Sequence, residues 1–403
     1  MQRECEVCLQ VLTGATLDFG FHPLCDDLVE IGSPINRSRY HQEIVLCNNC
    51  LTAQQMHQVP KELLFKSDYH YRASLTKDVL NGMSDLVDQT LSQVLEVGRP
   101  LVILDVGCND GSLLGIFKEK VSCLTIGIDP TNAILENSGK IDLAIQSFFN
   151  EAAVQKVISE VGFPDVITFT NVFAHIEDFQ SLIRNLYQLL GPETLLVIEN
   201  HYLGSIIEGE QFDTFYHEHP RTYSAKSFEV IARKLGLAIT SIDFPSRYGG
   251  NIRVSMNQIA KNLPRFTPMP SEEQFEQKFG FLQQKYESWL EESKRTLLLL
   301  LKQGKLTGKS LPGRAVMLIS ALGLTANEMP FIYEQPSSPK IGFYVPGTDI
   351  EIVSDEFFPK TSQQPIVIWS WHISSEVIKY LKNLGVHGEI WIPLPIFVKI
   401  EII

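Results

Sequence analysis

The sequence predicts an α/β protein in three parts: a short cysteine-rich N-terminal module, a central domain with a parallel sheet, and a smaller C-terminal α/β domain. Three observations carry that reading. Continuous apolar runs alternate with helical patterns from 101 to 258, and again beyond about 313, as strands covered by helices on both faces require. Five of the seven cysteines stand in the first 50 residues. At 403 residues the chain is too long for one ordinary core. A composition 44% hydrophobic and 20% charged is globular, which excludes a disordered or collagen-like chain. With 34 Lys and Arg against 47 Asp and Glu, the net charge of −13 repels phosphodiester backbones and anionic lipid. No apolar stretch reaches the roughly 18–20 residues of a membrane span, and MQRECEVCLQ has no signal-peptide pattern, so a soluble cytoplasmic protein is expected.

Residues 1–74 show little helical period and many Cys, His and aromatic side chains, so this module needs a metal or another staple. From Leu75 the apolar positions Val79, Met83, Leu86, Val87, Leu91 and Val94 recur at helical spacing, until Gly98-Arg99-Pro100 breaks the pattern. The central domain, 75–261, continues with strands predicted at Leu101–Val106, Cys123–Ile128, Asp165–Thr170, Thr194–Ile198 and Leu237–Ile242, and a helix at Leu113–Lys118. The prolines of Asn262–Pro270 mark a linker, and Ser271 with Gln274 predicts a capping box for a long helix. That helix carries Phe275, Phe279, Leu282, Tyr286 and Leu290 on one face, and the leucine run 297–301 is expected to close it inside a core. The C-terminal part, 262–403, adds strand signals at Ala315–Ile319, Ile366–Ser370 and Glu389–Ile392, and a helix at Glu376–Leu384.

Cys5-x-x-Cys8 and Cys47-x-x-Cys50, 38 residues apart, are paired knuckles that can close a tetrahedral shell around Zn²⁺. Four thiolates leave no open coordination position, so the site reads as structural. A redox pair fits less well, because such a motif opens a helix after a strand. Cys25, Cys108 and Cys123 read as small hydrophobes.

The first central strand ends in Asp105-Val-Gly107-Cys-Asn109-Asp110-Gly111, where glycines let backbone approach a ligand closely. The dinucleotide fingerprint G-x-G-x-x-G is absent. The loop instead resembles motif I of class I S-adenosylmethionine-dependent methyltransferases. Asp129, ending the next strand, stands where that superfamily has an acidic residue for the ribose hydroxyls. Asp105, Gly107, Asn109, Asp110, Gly111, Asp129 and Asn171 are therefore the candidate cofactor-binding residues. Asn171 and His175 follow the Asp165–Thr170 strand, where open α/β sheets form their crevice. His175 can be a structural residue or a functional one. Tyr216-His217-Glu218-His219, inside a polar-aromatic cluster, offers a general base; a metal pair and a hydrogen-bonded corner without chemistry are the other readings. Arg247–Arg253, softened by two glycines, could close against the same crevice.

Taken together these residues resemble the nucleotide-sugar C-methyltransferases, which act on deoxy-ketosugars. The resemblance runs along essentially the whole chain, through the two CxxC pairs, Asp68-Tyr-His-Tyr71-x-x-Ser74, Asp105–Gly111, Asn171-Val-Phe-Ala-His175-Ile, Tyr216–His219, Gly249-Gly250 and Ser338-Pro-Lys-x-Gly342 to Pro346-Gly347-Thr348. It implies a zinc-binding module, a central class I (Rossmann-like) methyltransferase domain and a C-terminal Rossmann-like domain that helps hold the nucleotide. It also implies His219 as the base that makes an enolate, with Tyr216 and Glu218 orienting base and sugar. His175 and one of Tyr69 and Tyr71 would stabilise the enolate oxygen. The chain departs from the family at Tyr248-Gly-Gly-Asn251, where His-Gly-Gly-Ser is usual. Gly313-Arg-Ala-Val-Met-Leu-Ile also lacks the usual Gly-Tyr-Gly-Ala turn before a lysine, and Glu334 stands for the acidic residue after the next strand.

The sequence thus favours a small-molecule ketosugar acceptor, with S-adenosylmethionine and structural zinc as cofactors and neither nucleic acid nor membrane as partner. Methylation of oxygen or nitrogen on a different substrate is the second reading. A zinc-ribbon RNA methyltransferase, disfavoured by charge, and a cofactor-binding scaffold without turnover complete the set.

Overall fold

Two cysteine turns and a small antiparallel sheet build the N-terminal module, in a computed structural model that describes residues 3–67, 69–75, 77–94, 98–136, 138–258, 270–360 and 364–402. Asp68 and residues 262–269 of the linker lie outside these. Strands β1 (Thr16–His22), β2 (Val29–Glu30), β3 (Tyr40–Leu46) and β4 (Ala53–Gln55) precede a single turn, α1 (Lys61–Leu64). β1 pairs with β3 and β3 with β4, all antiparallel. Leu17, Phe19, Ile44 and Leu46 are buried in one cluster with Cys5, Cys47 and Cys50, and Leu24, Val59 and Leu64 form a second small cluster beside it.

Helix α2 (Lys77–Gln93) buries Val79, Met83, Leu86 and Val87, the stripe its periodicity predicts. Then follow β5 (Leu101–Val106), α3 (Ser112–Lys120), β6 (Cys123–Asp129), β7 (Leu143–Gln146), α4 (Glu151–Val161), β8 (Val166–Thr170), α5 (Phe179–Leu189), β9 (Leu195–His201), α6 (Leu203–Glu208), β10 (Arg221–Thr222), α7 (Ala225–Leu235), β11 (Ala238–Asp243) and β12 (Asn251–Asn257). Seven of these strands form one sheet in the order β7-β6-β5-β8-β9-β12-β11. The first five run parallel, while β12 lies antiparallel to both β9 and β11. β5 is flanked by β6 on one side and β8 on the other, so its carboxyl end is the switch point where such sheets open a crevice.

Helix α8 (Phe275–Leu300) leads to β13 (Thr307–Lys309), α9 (Ala315–Leu322), β14 (Phe331–Glu334), β15 (Phe343–Tyr344), β16 (Glu351–Ser354), β17 (Ile366–Ile368), α10 (Ser374–Asn383), β18 (Glu389–Ile392) and β19 (Val398–Ile402). They make a second sheet, β19-β18-β17-β13-β14-β16-β15-β2, parallel from β18 to β16. The fold class is the one the sequence predicts. The parts are nevertheless stitched together: β2 of the N-terminal module pairs with β15, and β10 of the central chain pairs with β4.

Three local expectations are corrected. Ala315–Ile319 is helix, not strand, and the strand of this unit is Thr307–Lys309. Ala315, Val316, Met317, Leu318, Ile319 and Leu322 are all buried, so α9 is apolar all round and carries no helical period to read. Ser271 and Gln274 form no capping box: α8 begins at Phe275 with no side-chain cap. The neighbouring Glu272 instead caps α7, accepting from the Ala225 and Lys226 amides at 2.7 and 3.0 Å and from the Tyr202 hydroxyl at 2.9 Å. In the leucine run, Leu297 and Leu300 are buried while Leu298 and Leu299 are exposed, as helical geometry demands.

Candidate active site and metal centre

The four knuckle cysteines converge. Their sulfurs all lie within 4.8 Å of one another, with Cys5 to Cys50 at 3.6 Å and Cys8 to Cys47 at 3.5 Å. A tetrahedral Zn–S₄ shell with bonds of about 2.3 Å has S···S edges of about 3.8 Å, so the donor set fits the metal the sequence predicts. Each knuckle turns through a left-handed residue, Leu9 and Leu51, whose amides bond back to the Cys5 and Cys47 carbonyls at 2.8 Å.

At the carboxyl ends of β5, β6, β8 and β9 lies a cavity of about 670 Å³, within the range of small-molecule sites. Asp105, Gly107, Asn109, Asp129 and Asn171 are among its lining residues. Gly107 is left-handed (φ 73°), and a Cβ there would fall 2.3 Å from Val172 Cγ2, so only glycine lets the loop take this path. Burial pushes the Asp105 carboxyl up to about 7, against a 2.7 Å bond from the Thr168 hydroxyl. Asp129 accepts from the Asn109 amide at 2.9 Å and the Thr131 hydroxyl at 2.6 Å, which holds its carboxylate at the crevice mouth. Asn109 ties the loop to the N-terminal module: its Oδ1 accepts from the Ala73 amide and its Nδ2 donates to the Tyr71 carbonyl. Asp110 and Gly111 do not line the cavity. The Asp110 carboxylate accepts from Ser112 and from the Ser74 amide, and Gly111 caps α3 in a left-handed conformation. A buried carboxylate beside a glycine turn and a second carboxylate one strand away suit a cationic, ribose-bearing cofactor such as S-adenosylmethionine.

The same cavity is lined by His175, Tyr216, Glu218, His219, Tyr69 and Tyr71. The His219 ring packs against His175 (centroids 4.9 Å), His201 (5.1 Å) and Tyr216 (4.3 Å). Its Nδ1 lies 2.9 Å from the Thr214 carbonyl, which can only accept. Nδ1 therefore carries the proton and Nε2 the lone pair. Burial lowers His219 to about 4 and holds His175 and His201 well below the usual imidazole value, so all three rings are neutral near pH 7. Burial raises Glu218 to about 8, and the Tyr69 hydroxyl donates to it at 3.0 Å. His217 does not line the cavity: its Nε2 meets the Tyr40 carbonyl at 3.1 Å, so no His217–His219 metal pair forms.

The structure adds residues that sequence reasoning missed. His201 ends β9, the strand-end position where the crevice rule would have found it. The Arg247–Arg253 segment, which the sequence offered for this crevice, contributes Arg247 and Tyr248 to the lining; the Tyr248 hydroxyl meets that of Tyr71 at 3.1 Å, from a left-handed backbone (φ 57°). Behind them the fully buried Glu199 accepts from Arg247 (2.6 Å), Arg253 (2.7 Å) and Asn251 (2.9 Å), which clamps β9, β12 and the glycine pair together. The C-terminal domain contributes Arg314, Lys340 and His372 to the lining. Where the sequence lacks the Gly-Tyr-Gly-Ala turn, the chain still runs from strand β13 through Ser310–Gly313 into helix α9. Glu334 at the end of β14 accepts from the Leu311 amide in that turn.

Residues 5–65 match the model of a zinc binding domain, residues 75–242 a methyltransferase domain and residues 246–395 a C-methyltransferase C-terminal domain. Over 97% of its length the chain is 24% identical to the C-methyltransferase NovU of Streptomyces niveus, covering 95% of that protein. Among solved structures, it is similar to magnesium protoporphyrin IX methyltransferase from Synechocystis PCC 6803 with bound SAH (14% identity, 44% of this chain and 81% of that one, TM-score 0.33). The PH0226 protein from Pyrococcus horikoshii OT3 is similar at 11% identity over 50% of this chain and 99% of that one, with a TM-score of 0.35.

Proposed function

This chain is an S-adenosylmethionine-dependent C-methyltransferase with a zinc-binding N-terminal domain, and we propose that its acceptor is a nucleotide-linked deoxy-ketosugar methylated beside its ketone. One observation carries the proposal: a neutral His219, its Nδ1 held by the Thr214 carbonyl, shares a cavity with Asp105, Gly107 and Asp129. A ketone acidifies its α C–H, and His219 Nε2 takes that proton while the electron pair moves toward the ketone oxygen. S-adenosylmethionine, when bound, supplies an electrophilic methyl to the resulting carbanion. Tyr71 and His175 line the cavity where hydrogen-bond donors to the enolate oxygen are needed, and such donors act strongly in a site that excludes water. The imidazolium left on His219 then faces the new negative charge, which offsets the burial that otherwise disfavours it. Tyr216 packs on His219, and Glu218, which accepts from Tyr69, would orient the sugar.

A cytoplasmic location belongs to the same proposal; among the described residues no helix is long and apolar enough to cross a membrane. The second reading, transfer to oxygen or nitrogen of a different acceptor, is favoured by one fact. Arg314, at the turn where a diphosphate would sit, is already committed to Asp213. One experiment separates the two: labelled S-adenosylmethionine with a panel of nucleotide-linked 4-ketosugars in heavy water. Label on carbon, with deuterium at the α position, supports the enolate route; label on oxygen or nitrogen sinks it. His219→Ala is expected to lower turnover by about 10²–10⁴-fold with cofactor affinity near wild type, the range for a lost general base.

A further inference from the structure

We infer that Arg314, in the C-terminal domain, is a positioning residue that sets the His219 base through Thr214; the inference rests on the reading of His219 as the base. Arg314 stands at the start of α9, directly after the turn Ser310–Gly313. Arg314 is 6% exposed as a residue, and every guanidinium nitrogen has an acceptor. Nε and Nη2 grip Asp213 at 2.8 and 2.6 Å, Nη2 also donates to the Thr214 hydroxyl at 2.6 Å, and Nη1 donates to the Tyr248 carbonyl at 2.9 Å. Trp371 stacks on the guanidinium at 5.0 Å and donates from Nε1 to Asp213 at 2.8 Å.

Asp213 and Thr214 belong to the short turn Phe212–Thr214 and are fully buried. The hydroxyl of Thr214 is held by Arg314, and the carbonyl of the same residue holds His219 Nδ1. A second route runs through Tyr248, whose carbonyl Arg314 fixes and whose ring packs on His201 at 5.8 Å, next to His219. One planar fork thus ties the two segments that carry the base and its neighbour to a helix of a different domain. A lysine offers a single ammonium and cannot hold three acceptors in fixed directions. The C-terminal domain is therefore part of the catalytic geometry as well as a place for the acceptor.

A residue that merely joins two domains would not decide which nitrogen of His219 carries the proton, and that is the discriminating measurement. The full-length protein, labelled with ¹⁵N-histidine, gives long-range ¹H–¹⁵N spectra in which His219 is assigned by its loss in His219→Gln. Wild type is expected to show one neutral tautomer, protonated at Nδ1. Thr214→Val keeps the carbonyl and the volume but loses the Arg314 contact, and Arg314→Lys keeps the charge but loses the fork. Both are expected to mix the two tautomers and, with the ketosugar panel, to lower kcat by about 10–100-fold, the scale of a misplaced catalytic group, while KM for S-adenosylmethionine stays within about twofold. The groups facing His219 are His175, His201, Tyr216 and Arg314, and the Arg314 charge opposes protonation. Arg314→Gln should therefore shift the His219 titration upward, and Arg314→Lys should leave it in place. A single Nδ1–H tautomer in both Thr214→Val and Arg314→Lys overturns the inference, whatever happens to kcat. Thr214→Val reads the link even where Arg314 variants fail to fold. Full turnover in His219→Gln, with mixed tautomers in Thr214→Val, would instead refute the base and leave the positioning intact.

Discussion

Replacing His219 with glutamine should change how the protein tolerates acid, and the sign follows from burial. The imidazole is fully enclosed and titrates at about 4, against 6.5 for an exposed histidine. Between those values the unfolded chain binds a proton that the folded one refuses, so stability falls as pH drops through this window. At about 1.4 kcal/mol per pH unit, the full difference is about 3 kcal/mol, complete near pH 4 and absent above 6.5. Glu218 works in the opposite direction. Its folded value of about 8 means the native state holds a proton that the unfolded chain has released, so stability falls as pH rises from about 4.5 to 8. Because the two slopes oppose each other between about 4.5 and 6.5, the wild-type curve alone is uninformative. The difference between wild type and His219→Gln isolates the histidine. Urea unfolding at pH 7.5, 6.5, 5.5 and 4.5 is the assay. The variant should gain about 2–3 kcal/mol relative to wild type between pH 6.5 and 4.5, with an unchanged gap between 6.5 and 7.5. A gap that stays constant over the whole range would mean that His219 titrates normally, and that the neutral, desolvated base argued above does not exist.

The other predictions concern the two bound groups. Metal analysis should find about one zinc per chain, and Cys47→Ser should lose most of it and lower the thermal midpoint, because Cys5, Cys47 and Cys50 lie inside the apolar cluster on which the N-terminal sheet packs; full zinc in the variant would remove Cys47 from the shell. Gly107→Ala forces a side chain into a left-handed backbone and against Val172, at a cost of about 2–4 kcal/mol in stability. Calorimetry should show S-adenosylmethionine affinity down by at least about tenfold, partly recovered by Val172→Ala, which relieves the clash but not the backbone strain; wild-type affinity in the single variant would place the cofactor elsewhere.

The features legible in the sequence are those whose chemistry is local in the chain. Each cysteine knuckle spans four residues, so the ligands declare themselves before any fold is known. Asp105, Gly107 and Asp129 are legible because a strand end and a tight turn are local events, and one βαβ step fixes their separation. Asp110 and Gly111 share the motif but face the helix start, because a loop read as a string does not show which of its side chains turn inward. His201, Arg314 and His372 enter the site only because two sheets and three stretches of chain meet there, and no spacing in the sequence encodes that meeting. Full burial hides α9 in the same way, since a helix apolar on every side has lost the contrast that periodicity needs. The acidic charge balance can now be placed. Among the described residues, ion pairs bind Arg247 to Glu199 and Arg314 to Asp213, whereas Lys61 and Lys340 line the cavity with no carboxylate partner. A net charge of −13 therefore does not argue against an anionic acceptor. Lys61, over the Phe148 ring, and Lys340, donating to the Leu311 carbonyl, would be the local cations for the diphosphate of the acceptor proposed above, while Arg247 and Arg314 stay committed to Glu199 and Asp213.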